Sequence, residues 1–258
     1  MKRIIIICIC LSIGLLACSE VSAQTPLNNP PTYPNGISVG YGLGMQAQKD
    51  HYLSTERYSG TTRDFHLSWA RVDSTRGYRI GFEYRSSDNL RNNNLSAEVL
   101  YFRLYNTFPR RISRITLLSR EAQLYFGPTS DLYFYLNHPR IASNKLYWNF
   151  SFLSALSIGC DLELFLPMNP VSQFESALQL HLISLGIKSI DLVDSTESPI
   201  RLMNVFSGMN TAITVGYRRQ VSRSISLKLT YHLHVMRIHV LDELLTLNDG
   251  ITLAMTIH

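Results

Sequence analysis

SISLKLTYHLHVMRI, residues 224–238, alternates strictly. Leu227, Leu229, Tyr231, Leu233 and Val235 fall on one side of an extended chain, and Ser226, Lys228, Thr230, His232 and His234 on the other. Successive side chains of a strand point to opposite faces, and a 3.6-residue helical period cannot produce this pattern. The two histidines therefore share a face, where such a pair can grip a metal ion. What that face meets is decided by the rest of the chain.

The same period recurs. ISVGYGLGM (37–45) sets Ile37, Val39, Tyr41, Leu43 and Met45 against Ser38 and three glycines. RDFHLSWARV (63–72) sets Phe65, Leu67 and Trp69 against Asp64, His66 and Ser68, and YRIGFEYR (78–85) sets Tyr78, Ile80, Phe82 and Tyr84 against Arg79, Gly81, Glu83 and Arg85. In the longest run, 146–165, Phe152, Leu156, Ile158, Cys160, Leu162 and Leu164 oppose Ser151, Ala155, Ser157, Gly159, Asp161 and Glu163. ITLAMTIH closes the chain in the same manner. Segments 94–105 and 114–127 are strand-like in composition, but their alternation slips midway, as a bulge or a strand buried on both faces would make it. VLDELLTLN (240–248) suits a short helix.

Ten strands are expected, at 37–47, 63–72, 77–86, 94–105, 114–127, 146–165, 175–187, 209–218, 224–236 and 250–257. Eight or twelve are the alternative counts. The connections between them alternate long and short, as extracellular loops and periplasmic turns do in a transmembrane barrel, and an even count places both termini at one end. The less apolar face is rich in Gly, Ser, Ala, Thr and Asn rather than in the Lys, Glu and Asp that a wetted surface favours. Small residues fit inside a narrow barrel. Among 14 tyrosines and two tryptophans, Tyr78, Tyr84, Tyr101, Tyr147, Trp148 and Tyr217 lie near strand ends, where interfacial aromatic girdles sit.

MKRIIIICICLSIGLLACSEVSAQ has a basic start, an apolar run of about 14 residues and a small-residue site at Val21–Ala23. That run is short of the roughly 20 residues a membrane helix needs, so residues 1–23 read as an export signal. LLAC, ending at Cys18, also has the form of a lipobox. Residues 24–35 are a Pro/Asn-rich lead-in, and 36–258 form the barrel domain. Removing Lys2, Arg3 and Glu20 with the signal changes the net charge from +5 to +4. That mild, scattered charge excludes a nucleic-acid footprint. Cys160 is then the one remaining cysteine, so a closed sheet or a large core must replace disulfides.

In VSAQ, ISVGYGLGM, EAQLYFGP, ITVGYRRQVSRSISLKLTYHL and ITLAMTIH the chain resembles the small outer-membrane β-barrel proteins of Gram-negative bacteria. The resemblance covers most of 36–258 and is one of pattern. It implies an all-β, antiparallel, up-and-down transmembrane barrel in the cell outer membrane. It also implies membrane lipid and lipopolysaccharide as surroundings, and the outer-membrane assembly machinery as a partner. Such families usually end in an aromatic residue; this chain ends in His258.

Within such a barrel Asp64, His66, Arg79, Glu83, Arg85, His181, Lys228, His232 and His234 face the lumen as a polar cluster. Buried charges need partners, and a carboxylate beside a guanidinium is the ordinary way to fill a small lumen. A metal site needs three or four converging ligands, and spacing fixes only two histidines; neither a metal, a cofactor nor a catalytic residue is expected. GYGLG (40–44) lacks the helix and Lys-Ser/Thr of a phosphate loop. The expected function is a structural, adhesive, receptor or narrow-pore role through the extracellular loops, with no expectation as to the extracellular partner. Two alternatives stand beside it. One is a soluble exported β-sandwich or lipocalin-like binder of an apolar ligand. The other is an outer-membrane hydrolase or acyltransferase, for which Asp50, His51 and His138, expected in long loops, are the candidates.

Overall fold

The computed structural model describes residues 35–50, 54–72, 75–92, 96–140, 151–188, 200–240 and 242–258. The signal segment with Cys18, nearly all of the lead-in, His51, Tyr147 and Trp148 lie outside the described residues. Twelve strands and no helix occupy them: β1 (Gly36–Asp50), β2 (Ser54–Val72), β3 (Gly77–Arg91), β4 (Ser96–Thr107), β5 (Arg110–Leu117), β6 (Arg120–Arg140), β7 (Ser151–Asn169), β8 (Ser172–Lys188), β9 (Ile200–Asn204), β10 (Gly208–Gln220), β11 (Ile225–Val240) and β12 (Asp242–Ile257).

Ten of these strands close a ring in which all neighbours are antiparallel, β1-β2-β3-β4-β6-β7-β8-β10-β11-β12 and back to β1. β12 seals the ring against β1, from Ile37 opposite Ile257 to Asp50 opposite Leu244. Followed around the wall in its two directions, the partners of Asp64 arrive at Gln123 and at Tyr135 of β6, a stagger of 12 residues. With ten strands that stagger tilts the strands by about 40° from the axis. All turns at the end holding both termini are short, which marks that end as periplasmic.

The two strands outside the ring extend barrel strands that are interrupted. β5 continues the line of β4 past Phe108–Pro109 and pairs with β6 from Arg110 opposite Phe126 to Leu117 opposite Arg120. β9 precedes β10 across the turn at Asn204–Ser207 and pairs with Ile183–Ile187 of β8. At Gly127, beside the β4–β5 interruption, an added Cβ would lie 2.1 Å from the carbonyl oxygen of Phe108, so glycine permits this close approach of two backbones.

The outward face is apolar. Leu43, Tyr41, Ile158, Leu253, Leu104 and Ile257 are all at least half exposed, and aliphatic and aromatic side chains recur at alternate positions on every barrel strand. Trp69, Tyr78 and Phe108 form an aromatic cluster at the periplasmic rim, with ring centroids 5.8 and 5.1 Å apart. A lipocalin-like binder turns its apolar face inward, so the soluble alternative is corrected: this barrel has its apolar face outside, where only lipid tails suit it.

Most boundary corrections fall at the loop ends of strands. β1 runs to Asp50, β2 begins at Ser54, β3 runs to Arg91 and β11 to Val240. The connections at 51–53 and 241 are therefore short, not long loops. The helix expected at 240–248 is instead the end of β11 and the start of β12. The strand expected at 114–127 is a hairpin whose turn residues, Leu118 and Ser119, both have positive φ. Gly, Asn and Asp usually mark such turns. The segment from Thr129 to His138, expected as loop, is barrel strand, and His138 lies on its exposed outer face.

Gly127→Ala is expected to cost about 1–3 kcal/mol, the usual penalty of forcing backbone apart. It should lower the urea midpoint of the barrel in micelles, while Ser130→Ala, whose hydroxyl faces outward and donates to Asn106 Oδ1, should leave it near wild type.

Candidate functional site

The lumen is filled in two storeys. Towards the loop end lies an apolar and tyrosine-rich cluster of Tyr58, Leu90, Val99, Tyr101, Tyr133, Tyr135, Leu153, Met236, Ile238 and Leu244, with Met203 entering from β9. Tyr58 and Tyr133 are wholly buried, Tyr101 stacks on Tyr133 with centroids 6.4 Å apart, and the Tyr135 hydroxyl donates to Gln48 Oε1. At the level of this plug, opposite Leu244 and Leu153, the buried pair Lys188–Asp50 stands at 3.3 Å.

Below the plug the lumen is ionic. Arg103 reaches Asp131 at 2.7 Å and Glu83 at 3.3 Å, and donates to Gln179 Oε1 at 2.5 Å. Asp131 also meets His181 Nε2 at 2.5 Å. A second arm joins Arg85 to Asp64 at 2.7 Å and Asp64 to His232 at 3.1 Å. Nearer the periplasm Arg79 pairs with Glu163 at 2.8 Å, and Glu175 is held between Arg218 at 2.5 Å and Lys228 at 2.6 Å. The storeys touch where the Arg85 guanidinium lies 5.2 Å from the centre of the Tyr101 ring.

All nine sequence-predicted residues face this lumen. Asp64, Arg85 and His232 come together, while His66 bonds the Tyr105 hydroxyl at 2.7 Å and His234 bonds Asn210 Oδ1 at 2.6 Å. Their hub is a residue the sequence reading did not single out, Arg103, together with Asp131, Glu163, Glu175 and Arg218. Strand parity pointed to Glu163; Asp131 was hidden in a presumed loop, and Arg103 in the segment where the alternation slips. His232 and His234 share a face but have separate partners. Among the described residues no three His, Cys, Asp or Glu side chains converge where one ion could sit.

Within the network is a cavity of about 190 Å³, lined by Asp64, Glu83, Arg85, Arg103, Asp161 and Lys228 among others and reaching Gly36 and Thr256 at the periplasmic end. Residue size opens it. Ser68, Ala177, Ala212, Thr214 and Ala254 leave space between the long charged side chains that line it. At the outer surface, His138 stands 4.0 Å from Glu98, both partly exposed.

Asp131→Ala would leave Arg103 and His181 buried without their shared carboxylate. It is expected to destabilise the barrel by about 3–5 kcal/mol, the cost of breaking a buried ion pair from one side. Chemical denaturation in micelles checks this, and Arg103→Met combined with Asp131→Leu should cost less than either single loss.

No protein-family model matches the sequence, and no curated protein matches it. Among solved structures the chain is similar to the outer-membrane protease OmpT of Escherichia coli, at 7% identity over 89% of this chain and 99% of that one, with a TM-score of 0.47. It is also similar to the translocator domain of the autotransporter NalP from Neisseria meningitidis, at 9% identity over 86% and 88%, TM-score 0.45. A third is the transport unit of the Escherichia coli autotransporter AIDA-I, at 8% identity over 96% of both chains, TM-score 0.43. Among the described residues, a ring of ten antiparallel strands, apolar outside and charged within, pairs its backbone without a free edge, as crossing a bilayer requires. The protein is an outer-membrane β-barrel.

Proposed function

We propose that the protein is a sealed barrel, a structural or receptor element of the outer membrane rather than a solute channel, and that it catalyses no reaction. One observation carries this reading: Tyr58, Tyr101, Tyr133 and Tyr135 lie across the loop-end lumen with at most 2% of their surface exposed. Barrels with open aqueous lumens use about 16–18 strands, and ten strands leave an interior that side chains fill. Surface contact then falls to the longer loop-end connections, 141–150 and 189–199. The partners we propose on the membrane side are lipid and lipopolysaccharide around the apolar band and the assembly machinery that inserts the barrel.

Conductance across a planar bilayer tests this. The wild-type barrel is expected to give no sustained current steps, and the triple variant Tyr58→Ala, Tyr133→Ala, Tyr135→Ala is expected to give them. Large stable steps from the wild type would contradict the sealed reading.

A further inference from the structure

The carboxylates of the lower lumen are not equivalent. Glu163 faces Arg79, Glu175 faces Arg218 and Lys228, Asp64 faces Arg85 and His232, and Glu83 faces Arg103. Asp161 also lines the cavity and is 1% exposed; neither of its oxygens meets an N–H donor of the chain, and its side-chain hydrogen-bond neighbour is another acid, Glu163. Its cross-strand neighbours are Gly127 and Gln179. Gly127 projects no side chain, and Gln179 is held through its Oε1 by Arg103. Ala177 and Ala212 complete a small-residue wall along the cavity.

Two buried acids side by side are strongly disfavoured as a pair of anions, and a cation that supplies N–H donors relieves that cost on binding. We propose that the cavity binds a small organic cation bearing a primary ammonium group, admitted from the periplasmic end and anchored on Asp161. An ammonium has three donors, two of which the Asp161 oxygens accept. A cavity of about 190 Å³ is larger than a bare ion needs, and calcium requires six to eight oxygen ligands; among the described residues no His, Cys, Asp or Glu cluster provides them. The direction of entry rests on the sealed-lumen reading: the plug closes the loop end, whereas Gly36, Ser38 and Thr256 carry the cavity to the periplasmic rim. The binding chemistry does not rest on it.

Titration calorimetry on the folded barrel in micelles, where both ends are open to solvent, tests the site apart from conduction. The probe is n-butylamine, compared with n-butanol and with calcium chloride. The wild type is expected to bind the amine saturably and the alcohol and calcium not at all. Asp161→Asn should weaken amine binding about tenfold or more, as loss of a charged hydrogen-bond partner does. Ala212→Leu keeps Asp161 but narrows the cavity, and should weaken it as well. The migration of unheated against heated samples reports whether each variant is folded. Should Asp161→Asn not fold, the amine-against-alcohol comparison and Ala212→Leu decide the question. Absence of saturable amine binding, equal binding of butanol, binding of calcium in preference to the amine, or unchanged affinity in a folded Asp161→Asn would each overturn the proposal.

Discussion

In hydrocarbon an unpaired backbone N–H or C=O costs several kcal/mol, so a sheet that crosses a bilayer must close on itself. Here closure is the pairing of β12 with β1, fourteen residues deep from Ile37 to Asp50. Ten strands staggered by twelve residues make a narrow tube. Every second side chain then points into a space that cannot hold ten large residues at each level, nor be left as a void. The glycines and alanines, the crossing arginines between them and the tyrosines towards the loop end all follow from that single geometric demand.

The two storeys satisfy it with different physics. The upper storey excludes water with aromatic and aliphatic packing, which is non-directional and tolerates irregular filling. The lower storey uses ion pairs, which tolerate burial only when each charge finds a partner. Arg103 serves Asp131 and Glu83 together, and Glu175 serves Arg218 and Lys228. Tyr101 joins the storeys, with Arg85 over its ring and the His234 ring 5.7 Å away. Asp161 departs from this pairing, since the group beside it is a second acid, Glu163.

Strict alternation made the lower storey legible in the sequence, because there the inward face is polar or small and the outward face apolar. Asp64, Arg85 and His232 were placed in the lumen by parity alone. The upper storey was illegible for the same reason. Where Val99, Tyr101, Tyr133, Tyr135 and Leu244 point inward, both faces are apolar and the period of two vanishes. Thr129–His138 then reads as loop and 240–248 as helix, although both are strand. The hairpin at Leu118–Ser119 was lost differently, since neither residue advertises the positive φ it adopts. Pairing between distant strands, such as Arg103 with Asp131, is set by stagger, which no local pattern reveals.

The central claim, lipid outside and a packed lumen within, is tested most directly on the stretch from Leu227 to Met236. Nitroxide labels placed there one at a time, in barrels reconstituted into liposomes, report collisions with membrane-dissolved oxygen and with a water-soluble nickel complex. The account predicts a period of two, with oxygen collisions high at 227, 229, 231, 233 and 235, and nickel collisions low at those positions and at 234 and 236. Nickel access at the odd positions, or no alternation at all, would contradict it.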